Sequence, residues 1–263
     1  MHRSTAQLRK FFRSETAVFL TCLTFFSAGA DGQSSPAAKS KVDSQAVNAL
    51  RRMGDQLRAL TSFQVDAQTL RDEVLDDGET VQVGGTVSYM VRRPDRLRAD
   101  VRTDRKQRQI LYDGKTLTVY APRMRYYAAV PAPSTIAATL DSARSRYGIE
   151  FPLADLFLWG TSRDGANELT SARYVGPAYV DGFDTDQYAF RQKGTDWQVW
   201  IDRGKNPLPR KVVITTTSNP ARPQYVATLK WNFTPIRIDA PFVFTPPKDA
   251  GRIVFASLNG PSK

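Results

Sequence analysis

The sequence predicts a mainly β, α+β protein: a single highly curved antiparallel sheet with helices against its inner face. Three observations lead there. From Phe63 onward, apolar residues recur at every second position in roughly ten short segments separated by turn signals. Two further segments carry apolar residues at three- and four-residue steps, the pattern of helices that lie on a sheet. No strand–helix–strand alternation and no longer repeat occurs, which argues against a parallel sheet or a solenoid.

The first helix begins near Asp43 or Ser44, either of which suits an N-cap. Val47, Leu50, Met53, Leu57 and Leu60 form its apolar stripe, and Arg51, Arg52, Gln56 and Arg58 its polar face. Phe63, Val65 and Ala67 then alternate with Gln64, Asp66 and Gln68 up to a turn at Asp76-Asp77-Gly78. The next strand runs from Val81 to Arg92, with a bulge expected at Gly84-Gly85 and with Val87, Tyr89 and Val91 on one face. After Pro94-Asp95, Leu97, Ala99 and Val101 alternate with charged residues, as in a sheet covered on one face. Asp113-Gly114, between Ile110–Tyr112 and Leu117–Tyr120, is the strongest hairpin signal. Arg125 to Val130 adds a strand, and a second helix runs from about Ser134 to Tyr147, with Gly148 as its stop. Past the apolar stretch 149–159 comes a meander: Tyr174–Val180, Thr185–Arg191, Trp197–Asp202, Arg210–Thr217 and Tyr225–Phe233, with a short edge strand expected at Phe242–Phe244.

The first thirty residues read as a secretory signal peptide: Arg3, Arg9, Lys10 and Arg13, an apolar centre from Ala17 to Phe26, and Ala28-Gly29-Ala30 as the cleavage site. Cys22 lies inside that centre behind Phe19-Leu20-Thr21, a poor acylation motif. Residues 31–43 read as a disordered leader and 44–258 as one periplasmic domain. Removing residues 1–30 takes the basic residues from 37 to 33 and the acidic ones from 26 to 25, a net charge of +8. The only histidine and the only cysteine, His2 and Cys22, leave with the signal. The mature chain therefore lacks the usual neutral-pH base, metal ligand and thiol nucleophile, and it can form no disulfide. No cofactor or metal is expected, and export makes nucleic acid an improbable partner despite the basic charge.

The segments Tyr112-Asp113-Gly114-Lys115-Thr116-Leu117-Thr118-Val119-Tyr120, Tyr126-Tyr127, Gly148 to Leu156 and Trp200-Ile201-Asp202…Pro207-Leu208-Pro209-Arg210-Lys211 resemble a bacterial family of predicted periplasmic proteins of unknown function. That family is similar to the LolA and LolB lipoprotein carriers. The likeness runs from about residue 44 onward. It implies an incomplete antiparallel barrel, plugged by helices, around an apolar cavity that holds acyl chains.

Phe151, Leu153, Leu156, Phe157, Leu158 and Trp159, with Asp155 as the one charge, read either as a lid over a cavity or as a plug filling the core. Tyr89, Tyr112, Tyr126, Trp200 and Trp231 lie on strands and either line that cavity or serve as ordinary core. The arginines at 92, 93, 96, 98, 102, 105 and 108 either dock on an anionic membrane surface or form a solvated outer face. The expected function is non-catalytic binding of a lipid, a lipoprotein acyl chain or another apolar molecule. The alternative is a cell-envelope interaction module with a filled core. A hydrolase would need Asp184 or Asp186 to face a second carboxylate across a cleft.

Overall fold

A computed structural model describes residues 42–255. The expected signal peptide, the leader through residue 41 and the domain end at 256–258 lie outside the described residues. Helix α1 (Ser44–Ala59) starts where sequence capping places it: the Asp43 carboxylate accepts the backbone N–H of Gln45 at 2.8 Å. Its buried stripe is Ala46, Ala49, Leu50, Met53, Gly54 and Leu57. Leu50, Met53 and Leu57 each contribute about 1.5–3 kcal/mol by leaving water.

Eleven antiparallel strands follow as two meanders. β1 (Ser62–Val74), β2 (Thr80–Arg92), β3 (Arg96–Thr103), β4 (Gln107–Tyr112), β5 (Thr116–Ala121) and β6 (Tyr126–Pro131) pair in sequence. β7 (Ser171–Val180), β8 (Phe183–Gln192), β9 (Thr195–Asp202), β10 (Pro209–Thr216) and β11 (Gln224–Asn232) form the second set. β1 joins the two by also pairing with β11, and a last strand, β12 (Gly251–Arg252), lies at one edge, so the order is β12-β6-β5-β4-β3-β2-β1-β11-β10-β9-β8-β7 and the sheet does not close. Asp113 sets the β4–β5 turn, its carboxylate accepting the N–H groups of Lys115 and Thr116 at 2.9 and 2.7 Å.

Between the meanders the chain crosses the concave face. Helix α2 (Ile136–Tyr147) is capped by Thr135, which accepts from Ala138 N at 3.3 Å, and stops at Gly148, whose φ of 62° suits glycine. The apolar stretch beyond it holds only one helical turn, α3 (Asp155–Leu158). Side chains from α1, α2, the 149–159 segment and strands of both meanders share one apolar core, which requires the sheet to curl around them.

Two expectations are corrected. The β1–β2 ladder runs through Gly84 and Gly85 opposite Leu70 and Thr69 without a shift, so there is no bulge. A Cβ at Gly85 would lie 2.7 Å from the Arg102 carbonyl oxygen; glycine serves the close approach of β3. Irregularities fall instead at Tyr174/Gly176 and Pro209/Lys211. Residues 240–242 form a 3-10 turn, not a strand, because they belong to an irregular strap over the convex face. There Phe242 is fully buried beneath Arg92, and Phe244 lies between Tyr120 and Tyr127 at 5.3 and 5.1 Å. The strap ends in β12 (Gly251–Arg252), paired in parallel with β6.

Candidate ligand-binding site

Register decides which side chains meet on the concave face. The row Trp231, Val65, Tyr89, Ala99, Ile110 and Val119 crosses six strands, and the next row sets Phe63 against Val91, Leu97, Tyr112 and Leu117. The 149–159 segment lies on these rows. Phe157 meets the Tyr89 ring edge-on at 5.4 Å and 71°, with the Arg93 guanidinium 5.9 Å from its other side. Trp159 stacks on Trp197 at 6.0 Å, and Trp197 on Phe190 at 4.2 Å. Phe151, Leu153 and Leu156 are buried with them.

Of the ten side chains nominated from sequence, eight gather here: Tyr89, Tyr112, Phe151, Leu153, Leu156, Phe157, Trp159 and Trp231. Trp231 touches Phe63 at 5.5 Å and donates its indole N–H to the Pro209 carbonyl at 2.9 Å. Two do not join them. Val199 and Ile201 point into the core, so Trp200 between them is on the convex face, under the Lys211 ammonium at 4.9 Å. Tyr126 has the concave parity but sits at the sheet edge, 39% exposed, against Gly251. Phe63, Tyr188, Phe190, Trp197 and Tyr225 belong to the concave face and were not nominated. The alternation Trp197, Val199, Ile201 was the available signal, and it would have excluded Trp200 as well.

A crevice between β3–β5 and α2, lined by Leu97, Tyr112, Leu117, Ile136, Leu140 and Phe151 among others, has no room for a water molecule. Ligand pockets run about 300–1,000 Å³. Because Phe151, Leu153, Leu156, Phe157 and Trp159 are buried, a molecule of that size would reach the concave face beneath them only if the 149–161 segment moved. That segment is suited to it, because its backbone hydrogen bonds are made within itself or to the end of α2: Ile149 N to Ala143 O, Ala154 N to Phe151 O, Leu156 N to Leu153 O, Phe157 N to Ala154 O, Trp159 N to Asp155 O and Thr161 N to Leu158 O. Tyr89 ties it to the sheet by donating its hydroxyl to the Pro152 carbonyl at 2.6 Å. Gly160 seats its far end on α1: a Cβ at Gly54 would lie 2.5 Å from Gly160 Cα.

Burial pushes the Tyr89 and Tyr225 phenols well above the ordinary range, so both are neutral. Tyr225 Oη is buried without a hydrogen-bond partner. Asp155, on the outer side of the 149–159 segment, keeps solvent contact, yet burial by its surroundings raises its carboxyl group above the usual carboxylate range.

The basic run is largely consumed by the fold. Arg92 and Arg96 pair with Asp239 of the strap, and Arg98 with Asp100. Arg93 donates to the Leu60 carbonyl at 3.1 Å, and Arg105 pairs with Glu73 at 3.0 Å. For hydrolysis the geometry offers little: Asp186 is engaged by the Tyr174 hydroxyl at 3.1 Å and by Arg203 at 3.5 Å, while Asp184 is exposed.

Residues 46–256 match the family described as "Predicted periplasmic protein (DUF2092)". The chain belongs to this family. No curated protein matches it. Among solved structures it is similar to an uncharacterized conserved protein from Thermus thermophilus at 11% identity, covering 80% of this chain and 99% of that one with a TM-score of 0.47. It is also similar to the Mycobacterium tuberculosis lipoprotein LppX at 14% identity, covering 72% and 96%, TM-score 0.44. A LolA superfamily protein from Nitrosomonas europaea matches at 11% identity, covering 76% and 97%, TM-score 0.34.

Proposed function

We propose that this DUF2092 protein is a non-catalytic periplasmic binding protein, one domain over residues 44–258 behind a cleaved export signal. Its ligand is a lipid, a lipoprotein acyl group or another apolar molecule, held on the concave face. One observation carries the reading: the apolar cover over that face is an irregular lid whose backbone N–H groups bond within it or to the end of α2, so lifting it breaks no sheet ladder. The absence of histidine and cysteine after residue 30 agrees with a role without acid–base or thiol chemistry.

The energetics are those of an exchange. Exposing Phe151, Leu153, Leu156, Phe157 and Trp159 costs about 7–15 kcal/mol at ~1.5–3 kcal/mol each. A sixteen-carbon chain recovers on the order of 11 kcal/mol at ~0.8 kcal/mol per methylene. A ligand that replaces lid side chains in the core is thus held weakly enough to be released. The test is native mass spectrometry and lipid extraction of protein purified from the periplasm, with hydrogen exchange across residues 149–161. Retained lipid and exchange of the lid ahead of the sheet are expected. Protein that carries no lipid, binds none when titrated and protects the lid as well as β1 removes the reading.

A second reading, an envelope interaction module with a filled core, is favoured by the burial of the 149–159 side chains against the sheet and by exposed apolar residues at the β7–β8 end: Val175, Tyr179 and Phe183. A stoichiometric protein partner on protein free of lipid would select it.

A further inference from the structure

A single charge closes one end of the apolar rows. The inward positions of β2 run Val87, Tyr89 and Val91, and the next residue in that alternation is Arg93. Its backbone N–H donates to the Thr61 carbonyl at 2.7 Å, which ties it to the chain between α1 and β1. Its guanidinium is half-buried and lies 5.9 Å from the centre of the Phe157 ring, whose other side meets Tyr89. Phe233, one residue past the end of β11, stacks on Trp231 and is 45% exposed, so an apolar ring reaches solvent at the same end of the sheet.

Arg93 has more hydrogen-bonding capacity than the fold uses. Of the five N–H donors of a guanidinium, the one on Nε is spent on the Leu60 carbonyl at 3.1 Å. Among the described residues no carboxylate pairs with it. Asp95 is engaged by Arg96 at 2.9 Å, and Asp239 by Arg92 and Arg96. Burial holds the Arg93 guanidinium below its ordinary range, with no charge to offset the effect. Capping the end of α1 needs only the bond to Leu60. The terminal amino groups are left beside a ring that departs when the lid lifts.

We propose that Arg93 receives the oxyanion head of a single-chain amphiphile, a carboxylate or a phosphate, once Phe157 has moved away with the lid and the ligand's chain lies along Phe63, Val91 and Leu97. This assignment rests on the lipid-binding reading and gives the ligand a polarity and a direction. A planar guanidinium presents parallel N–H bonds to two oxygens, which suits either oxyanion. The incoming head also supplies the counter-charge that the chain does not.

The test compares myristate with its neutral glycerol monoester, monomyristin, below aggregation, at low salt and about pH 8, where the acid is ionised. Monomyristoyl phosphatidic acid serves as the phosphate arm, and acetate and inorganic phosphate as heads without a chain. At least one anionic lipid is expected to bind about tenfold tighter than monomyristin or better, and which one does so names the head. Arg93→Gln should bring that ratio toward one, whereas a purely structural role would weaken all the lipids alike and leave the ratio intact. Should the glutamine variant fail to fold, Arg93→Lys must lower the ratio, because an ammonium cannot pair two oxygens side by side. Lys230→Gln, on the convex face of β11, should leave it unchanged. A ratio near one in the native protein, or one that survives the Arg93 substitutions, overturns the head-group assignment while the apolar reading stands. Binding of none of the three lipids overturns both. Acetate or phosphate binding as tightly as the lipids makes the ligand a free anion and overturns the amphiphile.

Discussion

Gly54→Ala separates two opposed effects. In mid-helix, alanine is favoured over glycine by about 1 kcal/mol, so a solvent-facing Gly54 would stabilise the protein when replaced. Here the new methyl would sit 2.5 Å from both Cα and N of Gly160 and 3.0 Å from the Trp159 carbonyl carbon. These are backbone atoms, and no rotamer change moves them aside. Reaching ordinary contact at 3.4 Å requires α1 and the lid to part by 0.9 Å. A gap of that size forfeits a quarter to a half of the dispersion energy at the seam, and overpacking costs about 1–3 kcal/mol. After the helical gain, the net is a loss of about 1 kcal/mol, or ~2–4 °C in a domain of this size. Thermal melting reads the sign, and hydrogen exchange should show residues 153–161 opening faster than β1. A melting temperature raised by ~3 °C would refute the seam, since it would mean that the methyl met nothing.

Other variants probe other parts of the molecule. Tyr89→Phe orphans the Pro152 carbonyl and should cost about 1–2 kcal/mol, whereas Tyr225→Phe removes a buried, unpartnered hydroxyl and should raise stability by up to ~1 kcal/mol; urea midpoints at neutral pH distinguish them. Both phenols have raised pKa values in the folded state, so their contribution is complete below pH 10 and lost as pH rises past it; either Phe variant should flatten the alkaline fall in urea midpoints. Arg210→Gln breaks a mostly buried pair with Asp202 at 2.6 Å and lifts the guanidinium from the Phe183 ring, 3.4 Å away; a loss of about 3 kcal/mol by denaturant unfolding is expected. Trp197→Ala should cost about 3–5 kcal/mol, and Trp200→Ala far less, with no change in lipid affinity, because only the first lies on the concave face.

Much of the fold was readable because each piece has a local cause. Asp43, Thr135 and Gly148 mark helix ends by their own hydrogen bonds and dihedrals, and Asp113-Gly114 shapes its turn without outside help. What escaped depends on distant chain. The two-residue strand at Gly251 has no periodicity to detect, and the strap around Phe242 is anchored by Arg92, Arg96 and Arg98, residues that look like a solvated face until Asp239 is placed beside them. Alternation assigns a side chain to a face, so it found Tyr89 and Trp231. It says nothing of the space beyond that face, which is why the burial of the 149–159 side chains against the sheet and the edge position of Tyr126 emerged only from coordinates.

The placement of β1 has a kinetic consequence. Each meander can zip from its own tight turns, but the two are stitched by the ladder between β1 and β11, where Gln64 faces Asn232 across 168 residues of sequence. Closing so large a loop is the entropically expensive event, and topology of that kind slows folding more than it weakens the product. Until that stitch is made, the newly exported chain has two half-sheets with open edges, and an escort that shields them would matter most during this interval.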